Sequence, residues 1–114
     1  MKQLRSEFKR GTIELILLKL LDKEEMYGYQ LVTELEKGGG DIFQVKEGTL
    51  YPVLYRLEDS GFISSYRDNP FRGVPRKYYR LTDSGREHLL ELISEWRGFS
   101  EVVNRFLNNE ESSK

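Results

Sequence analysis

Two strand-forming runs separated by a turn-rich segment indicate a β-hairpin in a chain whose pattern is otherwise helical. Residues 62–66 and 77–81 are rich in aromatic and aliphatic side chains, and the segment RDNPFRGVPR between them contains two prolines and a glycine. Such runs, flanking proline and glycine, are typical of paired strands joined by a long loop. The helices on either side of this hairpin must therefore supply most of the core.

Three helices are predicted before the hairpin, at about residues 6–21, 27–37 and 47–60. Each carries leucine, isoleucine or valine at intervals of three and four residues, which gives every helix one apolar face. Three consecutive glycines at 38–40 follow the second helix, and Gly61 follows the third. Glycine readily adopts the left-handed conformation that ends a helix, so these positions are predicted exits.

A long fourth helix is predicted to begin at Thr82, a good N-cap, with Asp83 in its first turn. It runs to about Asn108, and residues 109–114 are expected to be a polar tail. Its apolar stripe comprises Leu89, Leu92, Ile93, Trp96, Phe99, Val103 and Phe106. So small a domain cannot bury this stripe, and leaving it exposed would favour aggregation. We expect a second copy of the chain to cover it in a two-fold homodimer.

These elements predict a mainly α fold of the α+β class, a winged helix-turn-helix with a two-stranded β-hairpin wing. The DNA-binding domain is expected to cover residues 1–81, and the dimerisation helix residues 82–108. In this architecture the third helix enters the major groove and the hairpin contacts flanking phosphates or the minor groove. The third helix directs Thr49, Tyr55 and Arg56 away from its leucine face, and Tyr51 lies at the border.

Charge is distributed unevenly along the chain. The net charge of -1 argues against a uniformly basic surface, but residues 62–81 contain five basic residues and one acidic residue. Residues 82–114 contain seven acidic and four basic residues. Because phosphate binding depends on local basic surface, the hairpin suits DNA despite the overall charge. The net charge also leaves open a winged-helix module that binds a protein and no DNA.

The segment KEGTLYPVLYRLEDSGFISSY, followed by RKYYRLTDSGREHL, strongly resembles the PadR family of transcriptional regulators. The stretches GTIELILLKLL and YGYQLVTEL are similar to that family's opening helices, so the resemblance spans about residues 10–106. It implies the smaller subfamily with a single C-terminal helix, whose members are homodimers and mostly repressors. The DNA contacts that it implies for this chain are Lys46, Thr49, Tyr51, Arg56, Tyr29, Arg72, Arg76 and Lys77.

Several of these residues also have structural interpretations. Tyr51 and Tyr55 suit the edge of the core, since tyrosine is an amphipathic packing residue. Arg56 is spaced to pair with the carboxylate three residues on. Thr49 suits a helix cap, and Lys46 suits a solvated lysine. Many relatives have serine or asparagine at the position of Lys46, so this departure leaves the start of the helix open and offers a further phosphate contact.

Trp96 is the only tryptophan and lies on the predicted dimer face. One interpretation is a packing residue that anchors the interface. The other is the wall of a pocket for a small aromatic or drug-like effector, since aromatic rings bind flat or cationic compounds by stacking and cation–π attraction. Some PadR relatives sense drugs or phenolic acids, so the resemblance implies a ligand-responsive regulator.

The sequence contains no set of residues that points to catalysis or to a cofactor. It has no cysteine and one histidine, His88, and it lacks a glycine-rich phosphate loop and an H-E-x-x-H motif. We therefore expect a protein that is not an enzyme and that holds no metal or cofactor. No apolar run is long enough to span a bilayer, and the N-terminal MKQLRSEFKR lacks the apolar region of a signal peptide. A cytoplasmic protein without a membrane partner is expected.

Overall fold

The structure, a computed structural model, describes residues 6–40, 45–68, 73 and 75–112. These residues form four helices and three short strands. The elements are α1 (Ser6–Lys23), β1 (Met26–Tyr27), α2 (Gly28–Gly39), α3 (Glu47–Asp59), β2 (Ile63–Asp68), β3 (Arg76–Leu81) and α4 (Asp83–Ser112). The mainly α fold with a wing after the third helix is confirmed, and each predicted helix is present within a few residues of its expected bounds.

Glycine ends α2 and α3, as the sequence predicts. Gly40 follows α2 with a φ of 58°, and its N–H donates to the Glu36 carbonyl at 3.0 Å. Gly61 follows α3 with a φ of 82°, and its N–H donates to the Glu58 carbonyl, while the Phe62 N–H donates to the Leu57 carbonyl. This pair of bonds is the Schellman arrangement, in which a left-handed residue satisfies the last carbonyls of a helix.

The sheet has three antiparallel strands in the order β1-β3-β2. The hairpin of β2 and β3 is confirmed, with Ser65 opposite Tyr79 in its register. The two-residue β1 pairs Met26 with Tyr79 on the other side of β3, so the expected two-stranded wing has a third strand. The strand β1 was not predicted, because two residues are too few to show a strand period.

The core lies between the helices and the inner face of this sheet. Tyr79, on the central strand, is 1% exposed and is among the largest buried side chains. The other buried apolar side chains are Ile13, Leu17, Leu18, Leu21, Met26, Leu31, Val32, Leu35, Val45, Leu50, Val53, Leu54, Leu57, Ile63 and Leu89. All three helices before the wing and the start of α4 therefore share one core.

The last helix is longer than predicted. Thr82 is its N-cap as expected, because the Thr82 Oγ1 accepts a hydrogen bond from the Gly85 N–H at 3.0 Å. The helix continues to Ser112, so residues 109–112, expected in the polar tail, are helical. No glycine or proline interrupts that stretch. Thirty residues give about 45 Å of helix, which accounts for a molecule measuring 66 × 33 × 20 Å.

None of the helices in the described part of the chain combines the length and the apolar character that crossing a membrane would require.

Candidate nucleic-acid interface

The first turn of α3 exposes two of the predicted DNA contacts. Lys46 is the N-cap residue, with an extended backbone and no capping bond from its side chain. The N–H groups of Thr49 and Leu50 both donate to the Lys46 carbonyl at 2.9 Å. Thr49 therefore lies within the helix and is not its cap, and the side chains of Lys46 and Thr49 are both exposed. The helix therefore starts at Lys46 without a side-chain cap.

Tyr51 packs between α3 and the start of α2. Its ring and hydroxyl occupy the space that a Cβ atom at position 28 would need, so Gly28 permits the two helices to approach. Burial raises the pKa of the Tyr51 hydroxyl above its usual value of 10, with a smaller contribution from the negative charge of Glu47. The packing interpretation therefore applies to Tyr51, which is half-buried, more than to the exposed Tyr55.

Arg56 turns toward α1 and not along α3. Its Nη2 lies 3.8 Å from the Glu14 Oε2, so its partner is Glu14 rather than the Asp59 carboxylate that the spacing suggested. The other carboxylate oxygen of Glu14 lies 2.7 Å from the His88 Nε2. The guanidinium remains largely exposed, but its position depends on an acidic residue of α1. Sequence spacing could not show this pairing, because Glu14 lies 42 positions away along the chain.

Two of the wing cations predicted to contact DNA, Arg76 and Lys77, lie among the described residues, and their surroundings differ. Lys77 Nζ lies 3.6 Å from the Glu58 Oε1 and 5.4 Å from the ring centroids of Tyr55 and Tyr79. Glu58 also accepts a 2.5 Å hydrogen bond from the Ser65 hydroxyl, which ties both wing strands to α3. Arg76 is exposed, with its guanidinium 4.8 Å from the Tyr27 ring centroid. Part of the Lys77 charge is therefore balanced within the protein.

Arg72, the third predicted cation of the wing, lies outside the described residues.

A cleft of about 240 Å³ lies where the start of α2, the outer face of α3 and the wing meet. Its lining residues are Tyr27, Gly28, Tyr29, Tyr51, Tyr55, Arg76, Lys77 and Tyr79. The fold thus brings Tyr29, Tyr51, Arg76 and Lys77 together at one surface, as predicted for a common site, while Lys46, Thr49 and Arg56 are not part of this lining. Tyr27 and Tyr79 had not been predicted as site residues: Tyr79 stands in the second aromatic strand segment, and Tyr27 was predicted to start the second helix. Phenol hydroxyls beside two cations suit an anionic partner.

The predicted apolar stripe of α4 divides into two parts. Leu89 belongs to the core of its own protomer at 1% exposure, so its assignment to a dimer interface was wrong. Leu92 and Ile93 are half-buried against that core. Beyond them the exposed apolar side chains of the stripe are Trp96, Phe99, Val103 and Phe106. Leu89 is in the core because it sits in the second turn of α4, where the helix still crosses the body of the domain.

Across the described residues, no group of three or more histidine, aspartate or glutamate side chains is arranged to hold a metal ion.

A three-helix body whose third helix has an exposed outer face, beside a wing bearing cations, defines the class of DNA-binding winged-helix regulators of transcription.

Within that class the chain belongs to the family described as the transcriptional regulator PadR-like family, whose model matches residues 17–91. Members of this family are regulators of transcription and not enzymes.

Known relatives agree with this assignment. A transcriptional regulator of Mycobacterium tuberculosis is 38% identical over 75% of this chain and 76% of its own. The negative transcriptional regulator PadR of Bacillus subtilis is 31% identical over 76% of this chain and 48% of its own. A crystal structure of a PadR family regulator from Eggerthella lenta is 39% identical, with a TM-score of 0.80, and the match covers 89% of this chain and 86% of that one.

Proposed function

We propose that this chain is a repressor that binds a pseudo-palindromic operator as a homodimer. In each protomer α3 reads base edges in the major groove, and the wing holds the adjacent backbone. The observation that carries the proposal is the exposed first turn of α3, with Lys46 and Thr49 free of the core, beside a cleft that contains Arg76 and tyrosine hydroxyls. Repression is supported by the similarity to the negative regulator of Bacillus subtilis.

The distal half of α4 supports the homodimer. Phe99 is 64% exposed and Phe106 is 77% exposed, in a helix that extends beyond the domain body. Large aromatic side chains in contact with water favour association, and a second copy offers the same apolar surface through two-fold symmetry. A dimer presents two copies of α3 to the DNA, which is why the operator is expected to be pseudo-palindromic.

We further propose that an aromatic effector acts at this helix. Trp96 is 46% exposed on the same stripe, so a flat or cationic compound can stack on the indole where the two copies meet. A panel of planar aromatic compounds should quench the fluorescence of this single tryptophan and should shift the affinity for DNA. If no compound does either, Trp96 is a packing residue of the interface.

Selection of an operator from a random duplex library, followed by gel-shift assays at two salt concentrations, tests the DNA-binding proposal. The affinity for the selected operator should fall by at least about tenfold between low and physiological salt, because phosphate contacts release counterions. Thr49→Val removes the hydroxyl from the first turn of α3 while keeping its shape. It should alter sequence preference by about fivefold or more at one base pair of each half-site.

The matched control is Ser100→Ala, which removes a hydroxyl from α4, where it bonds to the Arg97 carbonyl. This variant should keep the sequence preference of the parent protein. Absence of any DNA binding at low salt would overturn the proposal and would favour a winged-helix module that binds protein.

A further inference from the structure

The end of the recognition helix α3 is hydrogen-bonded to the start of α4. The Schellman arrangement leaves the carbonyls of Gly61 and Phe62 facing α4. The Gly61 carbonyl accepts hydrogen bonds from the Thr82 hydroxyl at 2.7 Å and from the Ser84 hydroxyl at 3.0 Å. The Phe62 carbonyl accepts from the Thr82 N–H at 3.1 Å. An unbroken series of hydrogen bonds therefore runs from the last turn of α3 to the first turn of α4.

Close packing reinforces these bonds. A Cβ atom at position 85 would lie far inside van der Waals contact with the Phe62 carbonyl oxygen, so the glycine allows α4 to touch the backbone directly. One turn further on, the His88 ring stacks on the Phe62 ring with centroids 4.0 Å apart and planes 8° apart. Neither contact permits α4 to slide or rotate against Phe62 without a clash or the loss of the stack.

Glu14 of α1 joins the same group of contacts from the other side. Its carboxylate meets the His88 Nε2 at 2.7 Å and the Arg56 guanidinium at 3.8 Å. One residue thus bridges α4 and α3 in addition to the direct contacts. We call this group the α3–α4 joint and define it by Glu14, Gly61, Phe62, Thr82, Ser84, Gly85 and His88.

We propose that the α3–α4 joint makes the recognition helix and the dimer helix a single rigid unit, so that it fixes the spacing of operator half-sites that the dimer accepts. Ser84, Gly85 and His88 are then positioning residues for spacing specificity and do not touch DNA. This inference rests on the proposed binding of a homodimer to two half-sites. Each inserted base pair moves one half-site by about 3.4 Å and rotates it by roughly 34°, a displacement that only a flexible dimer can follow.

The test measures equilibrium binding of the full chain to three duplexes: the selected operator, the same operator with one base pair inserted between its half-sites, and a single half-site. The parent protein should bind the selected operator at least about tenfold more tightly than the inserted one. Gly85→Ala should reduce that ratio by about fivefold or more, because the added methyl group separates α4 from Phe62. His88→Ala and Ser84→Ala should reduce it by smaller factors, and all three variants should keep the half-site affinity.

Ser94→Ala is the matched control, because Ser94 is an exposed serine of α4 outside the joint. Its ratio of affinities for the selected and the inserted operator should equal that of the parent protein. Thermal unfolding establishes which variants are folded; if Gly85→Ala is not, His88→Ala and Ser84→Ala decide the outcome. Folded joint variants that keep the affinity ratio of the parent overturn the inference. A parallel loss of affinity for all three duplexes also overturns it, because it would indicate a purely structural role for the joint. A parent protein that binds all three duplexes equally would instead contradict the proposed homodimeric function, and the inference would fall with it.

Discussion

The two halves of α4 carry similar apolar side chains in opposite surroundings. In the proximal half Leu89 is in the protomer core, and Leu92 and Ile93 pack against it. In the distal half Phe99 and Phe106 are mostly exposed, although they continue the same helical stripe. The difference arises because the domain body is only as wide as the first turns of α4, so the remaining turns extend past it. The proximal half of this amphipathic helix therefore completes the protomer core, while its distal half leaves an apolar surface uncovered.

Substitution of two adjacent leucines of the proximal half should have the largest effect, and it tests whether that half belongs to the core. Leu89→Ala should lower the free energy of unfolding by about 2–5 kcal/mol, because it leaves a cavity in a packed core. The neighbouring Leu90 is 62% exposed, so Leu90→Ala should change stability by no more than about 0.5 kcal/mol. Denaturant unfolding at one fixed protein concentration compares them. A loss from Leu89→Ala as small as the one expected for Leu90→Ala would mean that the proximal half is not a core segment.

A charge in the distal half should act on assembly and not on the protomer. Phe99→Asp places a carboxylate in the proposed interface and should weaken dimerisation by about 2 kcal/mol or more, roughly thirtyfold, as expected for a buried aromatic anchor. Sedimentation equilibrium measures the change, and Leu90→Asp, on a different face of α4, is the control. A Phe99→Asp protein that dimerises like its parent would show that this stripe is not the dimer interface.

The sequence was sufficient to predict the four helices and the hairpin, but not the short strand β1 or the division of α4. Apolar periodicity and the glycine exits at Gly40 and Gly61 are local signals, so α1 to α4 and the hairpin were predicted nearly in full. Leu89 and Phe99 have the same periodicity, and only the position of the domain body decides which of them is buried. Periodicity predicts an apolar face but does not identify the partner that covers it.

The candidate site was also predictable only in part, because its cations show local signals in the sequence but their partners do not. Arg76 and Lys77 stand out as cations beside a turn, and the fold brings both to one cleft with Tyr29 and Tyr51. The pairing of Lys77 with Glu58, and that of Arg56 with Glu14, join residues that are far apart in sequence. Such partners depend on tertiary structure, so sequence spacing alone pointed to the wrong carboxylate for Arg56.

The domain body contains a buried aromatic side chain that titrates, Tyr79, whereas the exposed tryptophan and phenylalanines of distal α4 carry no titratable group. Burial, followed by the nearby Tyr55 and Glu58, raises the pKa of Tyr79 from 10 to about 12. Between pH 10 and 12 the unfolded chain loses this proton before the folded one, so stability is retained below pH 10 and falls as the pH rises to 12. The loss attributable to Tyr79 is about 2 kcal/mol.

Unfolding measured from pH 9 to 12 tests this prediction. Tyr79→Phe should flatten the alkaline decline, whereas Tyr29→Phe, at an exposed position, should leave it unchanged. If the parent and Tyr79→Phe proteins lose stability in parallel, the phenol of Tyr79 does not contribute to the alkaline decline.

Substituting one arginine of the wing and one of distal α4 gives the smallest expected effect. The pair distinguishes the roles of the wing and of distal α4 in DNA binding. Arg76 is exposed beside the cleft, whereas Arg97 is exposed on the distal half of α4. Removing one phosphate contact should reduce the slope of log affinity against log salt by about 1 and weaken binding to all sequences alike, so this is the result expected for Arg76→Ala. Arg97→Ala should keep the parent slope, because the proposed role of that half is to bind a second copy. A reduced slope in Arg97→Ala but not in Arg76→Ala would mean that DNA lies along α4. Distal α4, and not the wing, would then be the DNA-binding surface.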